Sequence, residues 1–211
     1  TLRFRNKAFG MNYDTEKAEY VYSNLTKFAR DKVLLADDIL KTTMTLNHWK
    51  EKNVNPASRK KKPRIALIAT SGGGLRSSLW TARIIQLADS VTGGKLFQRT
   101  TLMTGSSGGM VGAAYMRELY LKKQKGEIHD FYSDSILSNL SSDLLNPLSF
   151  SLIINDFFLR AQTFQDGNYT YTKDRGFAFE TQLNHNTHNI MNKRLSDYEN
   201  PEQDAHIHML I

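Results

Sequence analysis

The sequence predicts an α/β fold in which helices flank a parallel sheet. Twice between residues 64 and 125, a short apolar segment runs directly into a glycine-rich turn and then into an amphipathic segment of helical length. This alternation of strand and helix is typical of parallel sheets, whose ligands bind at the carboxyl ends of the strands. A length of 211 residues with 40% hydrophobic residues is sufficient for one domain of this kind.

The first 58 residues are predicted to form a helical segment followed by a linker, and residues 59–211 the α/β domain. Apolar residues recur at helical spacing over 15–30 and again over 33–46. Residues 53–63 are polar, contain two prolines and include a basic cluster at 59–62, which we interpret as a solvated linker. The net charge of +7 has no zinc-finger, RNP or heptad pattern beside it, so no nucleic-acid partner is predicted.

Within the α/β domain, residues 64–70 predict a strand buried on both faces, because nearly all of them are apolar. A helix is expected over 75–91, ended by the glycines at 93 and 94, and a second strand and helix over 100–103 and 110–125. Further along, we expect a helix from Asp174 to Leu183 and a last strand at 206–211, in which His206 and His208 face one side.

The apolar stretch from Leu148 to Phe158 is less regular than the two strand–turn–helix units. It contains Phe150, Phe157 and Phe158. We interpret these aromatic side chains as ordinary core, with the lining of an acyl pocket or a membrane contact as the alternatives.

The second turn, Gly105-Ser106-Ser107-Gly108-Gly109, matches the Gly-X-Ser-X-Gly pattern of a nucleophile elbow. Such a turn holds a serine hydroxyl above the sheet edge, where the N-terminus of the following helix favours developing negative charge. The same motif also occurs as a tight turn that only packs a helix against a sheet. Taken alone, it leaves both interpretations open.

The first turn offers groups that could assist a serine nucleophile in the neighbouring turn. Three consecutive glycines leave backbone N–H groups unobstructed for an oxyanion hole, and Arg76 in the next helical turn can pair with a phosphate. A phosphate loop of the Walker type is excluded because no Gly-Lys-Ser/Thr sequence follows, and the dinucleotide fingerprint lacks its third glycine. The oxyanion-hole candidates are Gly72, Gly73, Gly74 and Gly108.

Together, the Ser-Gly-Gly-Gly-Leu-Arg sequence at 71–76 and the Gly-Ser-Ser-Gly-Gly sequence at 105–109 resemble the patatin-like phospholipases, with a lean toward cytosolic phospholipase A2. The resemblance covers residues 64–125. It implies a three-layer α/β/α fold with a mainly parallel sheet, and a lipid acyl hydrolase in which Ser107 is the nucleophile. It also implies that backbone amides of the glycine turns hold the oxyanion, and that Arg76 contacts the lipid phosphate.

The family's base is an aspartate in an Asp-Gly-Gly or Asp-Gly-Ala motif, and here the sequence departs from the pattern. The Asp-Gly pair in this chain is Asp166-Gly167, followed by Asn168, and we interpret it as a turn. The resemblance therefore implies an aspartate beyond residue 211, a domain that is incomplete at its C-terminus, and an isolated chain without activity.

Two other functions stay open: a Ser-His-Asp esterase, and a patatin-like domain that binds lipid or protein without catalysis. The expected partner is a phospholipid or another lipid ester, with peripheral membrane contact favoured by the basic charge. No cofactor or metal is expected, since cysteine is absent and no histidines and carboxylates have ligand spacing. The sequence shows no signal peptide or transmembrane segment, which leaves a cytoplasmic or membrane-associated location open.

Overall fold

The computed structural model describes residues 7–16, 19–55, 62–158 and 162–211. The basic cluster predicted at 59–62 lies outside these residues except for Lys62, which is exposed. In chain order, the regular elements are α1 (Tyr22–Ala29), α2 (Lys32–Asn53), β1 (Ala66–Thr70), α3 (Gly74–Val91), α4 (Lys95–Arg99), β2 (Thr100–Gly105), α5 (Ser107–Gln124), α6 (Asp134–Ser141), α7 (Leu145–Ser151), a π-helical segment (Leu152–Phe158), β3 (Thr163–Asp166), β4 (Tyr169–Thr172), α8 (Arg175–Asn186), a 3₁₀ segment (Leu195–Tyr198), α9 (Glu199–Gln203) and β5 (Met209–Leu210).

The chain divides into two compact units, which we describe separately. The larger unit contains Val21–Ser141 and Ile190–Ile211, and therefore α1 to α6, α9 and the sheet formed by β1, β2 and β5. The smaller unit contains Ser142–Asn189 and the described residues before Val21. These units cut across the predicted division at residue 58, because α2 belongs to the same unit as the sheet.

The sheet of the larger unit has the parallel order β1-β2-β5, which confirms the α/β class. β1 and β2 are in register at their carboxyl ends, where Thr70 pairs with Gly105. The last strand, Met209–Leu210, lies within the predicted range 206–211 but is shorter. Both glycine turns therefore leave neighbouring strands at the same edge of the sheet.

The first strand is not buried on both faces, and that prediction is wrong. Leu67 is 66% exposed and Ala69 is exposed, whereas Ala66, Ile68 and Thr70 are partly buried. The alternation has the two-residue period of a strand with one covered face. Among the described residues, β1 also forms an edge of the sheet, so a neighbouring strand lies on one side of it only.

Helices α3 and α5 pack against each other along their length and form the centre of the larger unit. α3 buries Ala82 and Ile85, and α5 buries Ala113 and Met116. A Cβ atom at Gly112 of α5 would overlap the backbone carbonyl oxygen of Ser78. The small residues after the second turn thus let the two helix backbones approach closely. Both predicted helices and the glycine end of α3 are confirmed, although α5 begins three residues earlier than predicted.

Of the two N-terminal helices, the first is shorter than predicted and the second is longer, and both are weakly packed. The helix expected over 15–30 begins at Tyr22 and buries none of its residues. The carboxylate of Asp31 accepts hydrogen bonds from Val33 N and Leu34 N and so starts α2, whose first buried residues are Thr45 and Trp49. The apolar spacing correctly predicted helix, but no described partner covers its first half.

The smaller unit combines α7, the π-helical segment, a two-stranded hairpin and α8. The interpretation of its phenylalanines as core is wrong: Phe150, Phe157 and Phe158 are each at least 65% exposed. By contrast, the expected cap of α8 is confirmed, because Asp174 Oδ1 accepts a hydrogen bond of 3.0 Å from Phe177 N. In the described residues, no helix combines the length and the apolar character that crossing a bilayer requires.

Candidate active site

The two glycine turns lie side by side at the carboxyl edge of β1 and β2. An ideal Cβ atom built on Gly72 would lie 3.3 Å from Cβ of Ser107 and 3.4 Å from Oγ of Ser106. The triple-glycine turn and the serine turn therefore touch, although the 29 residues of turn and helix at 71–99 separate β1 from β2 in the chain. This contact is the juxtaposition that the nucleophile-elbow interpretation requires.

The glycines of the second turn are required because backbone packs directly against backbone. A Cβ atom on Gly108 would overlap the carbonyl oxygen of Gly74, and one on Gly109 would overlap the carbonyl oxygen of Ser71. At Gly105, the obstacle is Thr70 of the neighbouring strand. No rotation of a side chain can relieve an overlap with a main-chain oxygen, so the spacing of these glycines follows from the close packing of the turns.

Ser107 is exposed and has a strained backbone. Its φ of +50° lies in the left-handed region, which non-glycine residues enter at a cost of about 1–3 kcal/mol. It is the first residue of α5, and its neighbour Ser106 has an extended conformation with φ −143°. Among the described residues, the hydroxyl of Ser107 makes no hydrogen bond. The strain therefore holds a free hydroxyl at the start of a helix.

Both helix N-termini at the site keep their N–H groups available. Neither α3 nor α5 has a side-chain cap, and within the described chain the N–H groups of Gly72, Gly73, Gly74 and Gly108 donate no hydrogen bond. Gly73 and Gly74 have φ values of +146° and +63°, which only glycine adopts readily. Unpaired N–H groups and the positive ends of two helix dipoles are a suitable setting for an oxyanion.

No family model, curated protein or solved structure matches this chain. The site is therefore interpreted from its own geometry. Its defining features are the exposed serine, the adjoining glycine turns and the two open helix N-termini.

Arg76 lies in the first turn of α3, two residues after the glycine turn, and its side chain is exposed. It forms no ion pair with another described residue. A cation with this freedom can bind an anionic group, as the sequence predicts for the phosphate of a lipid. On the same side of α3, the side chains of Leu79 and Trp80 line a groove together with Arg76. This groove was not predicted from the sequence, although the helical spacing of residues 76, 80 and 83 is a pattern that could have indicated it.

The general base is not supplied by a described neighbour of Ser107. No carboxylate or imidazole of the described residues hydrogen-bonds to its hydroxyl. Asp166 is the last residue of β3 and pairs with Tyr169 across a two-residue hairpin turn, in which Gly167 has φ +59°. The interpretation of Asp166 as a turn residue is confirmed, and it belongs to the smaller unit.

The histidines near the last strand are engaged elsewhere. His208 is buried, its Nε2 lies 2.8 Å from the carbonyl oxygen of Phe97, and burial lowers its pKa to about 4. His206 is exposed, with its Nδ1 3.3 Å from Lys52 Nζ. The prediction that both histidines face one side of a strand is wrong, because both precede the two-residue strand. In the described parts of the chain, no three histidine, aspartate or glutamate side chains are grouped to hold a metal ion.

Proposed function

We propose that this chain carries the nucleophile half of a patatin-like serine lipid acyl hydrolase, of the phospholipase A or lysophospholipase type. One observation carries the proposal: the free hydroxyl of Ser107, held at φ +50°, lies in contact with a triple-glycine turn whose N–H groups are unpaired. Structural turns do not need an exposed, strained serine. A nucleophile does, because the attacking oxygen must reach a substrate carbonyl.

In the proposed reaction, Ser107 Oγ attacks the carbonyl carbon of a lipid ester while its proton passes to a base. The carbonyl oxygen becomes an oxyanion that accepts hydrogen bonds from the amides of Gly73, Gly74 and Gly108. Collapse of this intermediate breaks the ester bond, and the leaving alcohol takes up the proton. Water then cleaves the acyl-serine by the same route in reverse. Loss of one oxyanion donor in such enzymes typically lowers kcat by about a hundredfold or more.

The rest of the proposal extends beyond the site. The parallel sheet with α3 and α5 packed together would form part of a three-layer α/β/α fold. Arg76 would contact the lipid phosphate through its free guanidinium group. An aspartate would act as the base, in a Ser–Asp dyad without histidine, since His208 is buried and bonded to Phe97 and no described imidazole contacts Ser107.

The test is labelling of Ser107 by a fluorophosphonate probe, which reacts with activated serine hydroxyls. The product of the complete open reading frame is used, so that the base need not lie within residues 1–211. We expect covalent labelling of the wild type, located at Ser107 by peptide mass spectrometry, and none of Ser107→Ala.

The matched control is Ser106→Ala, which removes the neighbouring hydroxyl and leaves Ser107 in place. This variant is expected to keep most of the labelling. A wild-type protein that is folded by circular dichroism but unlabelled would contradict the proposal, as would equal labelling of wild type and Ser107→Ala.

A further inference from the structure

Helix α3 has two faces of opposite character. Its buried face carries Ala82 and Ile85 and packs toward α5, whereas Arg76, Trp80 and Arg83 follow one another at helical spacing on the opposite side. Trp80 is 68% exposed, although tryptophan is usually well buried. An amphipathic helix would be expected to present polar groups on this outer face.

A groove of about 460 Å³ runs along this outer face, between α3 and α6. Leu79, Trp80 and Leu137 give it an apolar surface, and Ser138 and Ser141 lie along its α6 side. The elements that form the groove contact each other within the larger unit. The exposed apolar side chains therefore form one continuous groove and are not isolated on the surface.

The charges at the two ends of the groove differ. Arg83 is 3.0 Å from Asp134 and also donates to the side chain of Gln86. Arg76, seven residues earlier and thus about 10 Å away along the helix axis, forms no ion pair with any residue that the structure describes. Among the described residues, the groove thus has an unpaired positive charge at one end only, that of Arg76.

We propose that this groove binds a single-chain amphiphile with an anionic head, the shared chemistry of a fatty acid and a lysophospholipid. The chain lies over Leu79, Trp80 and Leu137, and the anionic head pairs with Arg76. Binding buries the exposed indole and the two leucines, and the free guanidinium sets the direction of the chain. The choice of ligand rests on the proposed function, because Arg76 is the residue assigned there to the lipid phosphate, but binding does not require the reactivity of Ser107.

The chain has two tryptophans, Trp80 in the groove and Trp49, which is only 6% exposed. In the Trp49→Phe variant, Trp80 is the sole indole and reports directly on the groove. The probe is dibromostearic acid, whose bromine atoms quench a tryptophan that they contact. Saturable quenching is expected below the critical micelle concentration, and Ser107→Ala added to this background is expected to bind equally well.

Two further variants test the assigned contacts. Leu137→Asp places a charge on the apolar surface and is expected to weaken binding at least tenfold. Arg76→Gln is expected to weaken binding of the brominated acid roughly threefold to tenfold, but not binding of the corresponding brominated alcohol. Val91→Asp changes the exposed end of α3 outside the groove and serves as the matched control. Competition by lysophosphatidate and by stearate then shows which head group the site prefers.

Absence of quenching in folded Trp49→Phe would overturn the proposal. So would equal quenching in Leu137→Asp, and quenching that occurs only with brominated lipid vesicles would assign the surface to membrane contact instead. If Trp49→Phe does not fold, Trp80→Phe is used in its place: the quenching seen in the wild type must then disappear. Labelling of Ser107 is measured separately, so failure here and failure of the hydrolase proposal are distinguishable.

Discussion

The first turn of helix α5 and its second half treat polar groups in opposite ways, and we call them the open end and the closed end of the helix. At its N-terminus, Ser107 is exposed, the first N–H groups have no cap, and the turn is held by contacts between main chains. Ten residues later, Arg117 and Glu118 are buried, and their charges are met by partners on the segment 193–208. The polar groups of the open end are unpaired, whereas the charged side chains of the closed end are buried and paired.

The closed end is a dense charged cluster. The Arg117 guanidinium pairs with Glu202, donates to the carbonyl oxygen of His208 at 2.8 Å, and lies over the ring of Tyr198. Glu118 pairs with Lys193. Desolvation raises the pKa of both Tyr198 and Glu202 and lowers the pKa of Arg117. Such a cluster ties the last segment of the chain to α5, since breaking one partner would leave another charge buried.

The difference between the two ends is consistent with the proposed function. Unpaired polar groups at the N-terminus of α5 would be a defect in a purely structural helix. In this chain they coincide with strained backbone and an exposed serine. Under the proposed function, changes to the free hydroxyl and N–H groups of the open end should therefore affect activity. Changes to the main-chain contact between the turns, or to the buried charges of the closed end, should affect folding.

The largest effect is expected at the contact between the two turns. Gly108→Ala puts a methyl group onto the carbonyl oxygen of Gly74, which is main chain and has nowhere to move. We expect the free energy of unfolding in urea to fall by about 3 kcal/mol or more. Gly126→Ala is the control, because Gly126 has a φ of +74° and therefore adds backbone strain, but has no atom within 4 Å of the added Cβ. Its expected cost is about 1 kcal/mol. Equal losses in both variants would show that the contact between the turns costs no more than ordinary backbone strain.

An intermediate loss of stability is expected when the pH is lowered, through His208 at the closed end. Burial holds the pKa of His208 at about 4, below the ordinary value of 6.5, so the unfolded chain binds the proton more readily than the folded one. Stability from this group is complete above pH 6.5 and is lost as the pH falls toward 4. We expect a loss of about 2–3 kcal/mol between those values. The measurement is urea unfolding at several pH values.

His208→Gln isolates this contribution from other titrations. Glu202 has a raised pKa, so its protonation on acidification works in the opposite direction, and it is present in both proteins. The difference in unfolding free energy between wild type and His208→Gln should therefore shrink as the pH falls. A difference that stays constant from pH 7 to pH 4 would show that His208 is not buried in its neutral form.

The smallest effect on stability is expected at Ser107 itself. Ser107→Gly removes the side chain from a residue with φ +50° and should raise the melting temperature, by an amount equivalent to about 1 kcal/mol. Ser106→Gly, at φ −143°, has no such strain to relieve and should lower stability slightly. Calorimetry of both variants checks the pair. If Ser107→Gly were destabilising, the positive φ would not store strain, and the two ends of α5 would differ less than proposed.

Much of the site follows from local sequence. The positions of β1, α3, β2 and α5 were predictable because apolar runs, glycine turns and helical periodicity agree with one another. The approach of Gly72 to Ser107 was predictable as well, since parallel strands carry their following turns to one edge. The elements and the approach of the two turns could both be predicted because they depend on local sequence patterns.

The predictions that were wrong or missing concern contacts with distant residues, which local sequence does not specify. The composition of β1 was correctly interpreted as strand, but whether a second layer covers Leu67 depends on distant residues. Phe150, Phe157 and Phe158 were assigned to a core for the same reason and are exposed. The buried cluster of Arg117 and Glu118 was not predicted, because charged residues in a helix are normally solvated. Their partners also lie about 75 to 90 positions away in the sequence.

The main-chain contact between the turns also affects how any future set of homologues should be interpreted. Gly105, Gly108, Gly109 and Gly112 each face an atom of the neighbouring strand, turn or helix that a methyl group would displace. Invariance at these four positions would therefore record a steric constraint shared by active and inactive descendants alike. Substitution of Ser107 or Arg76 against that unchanging background would identify lineages that kept the architecture after losing the chemistry.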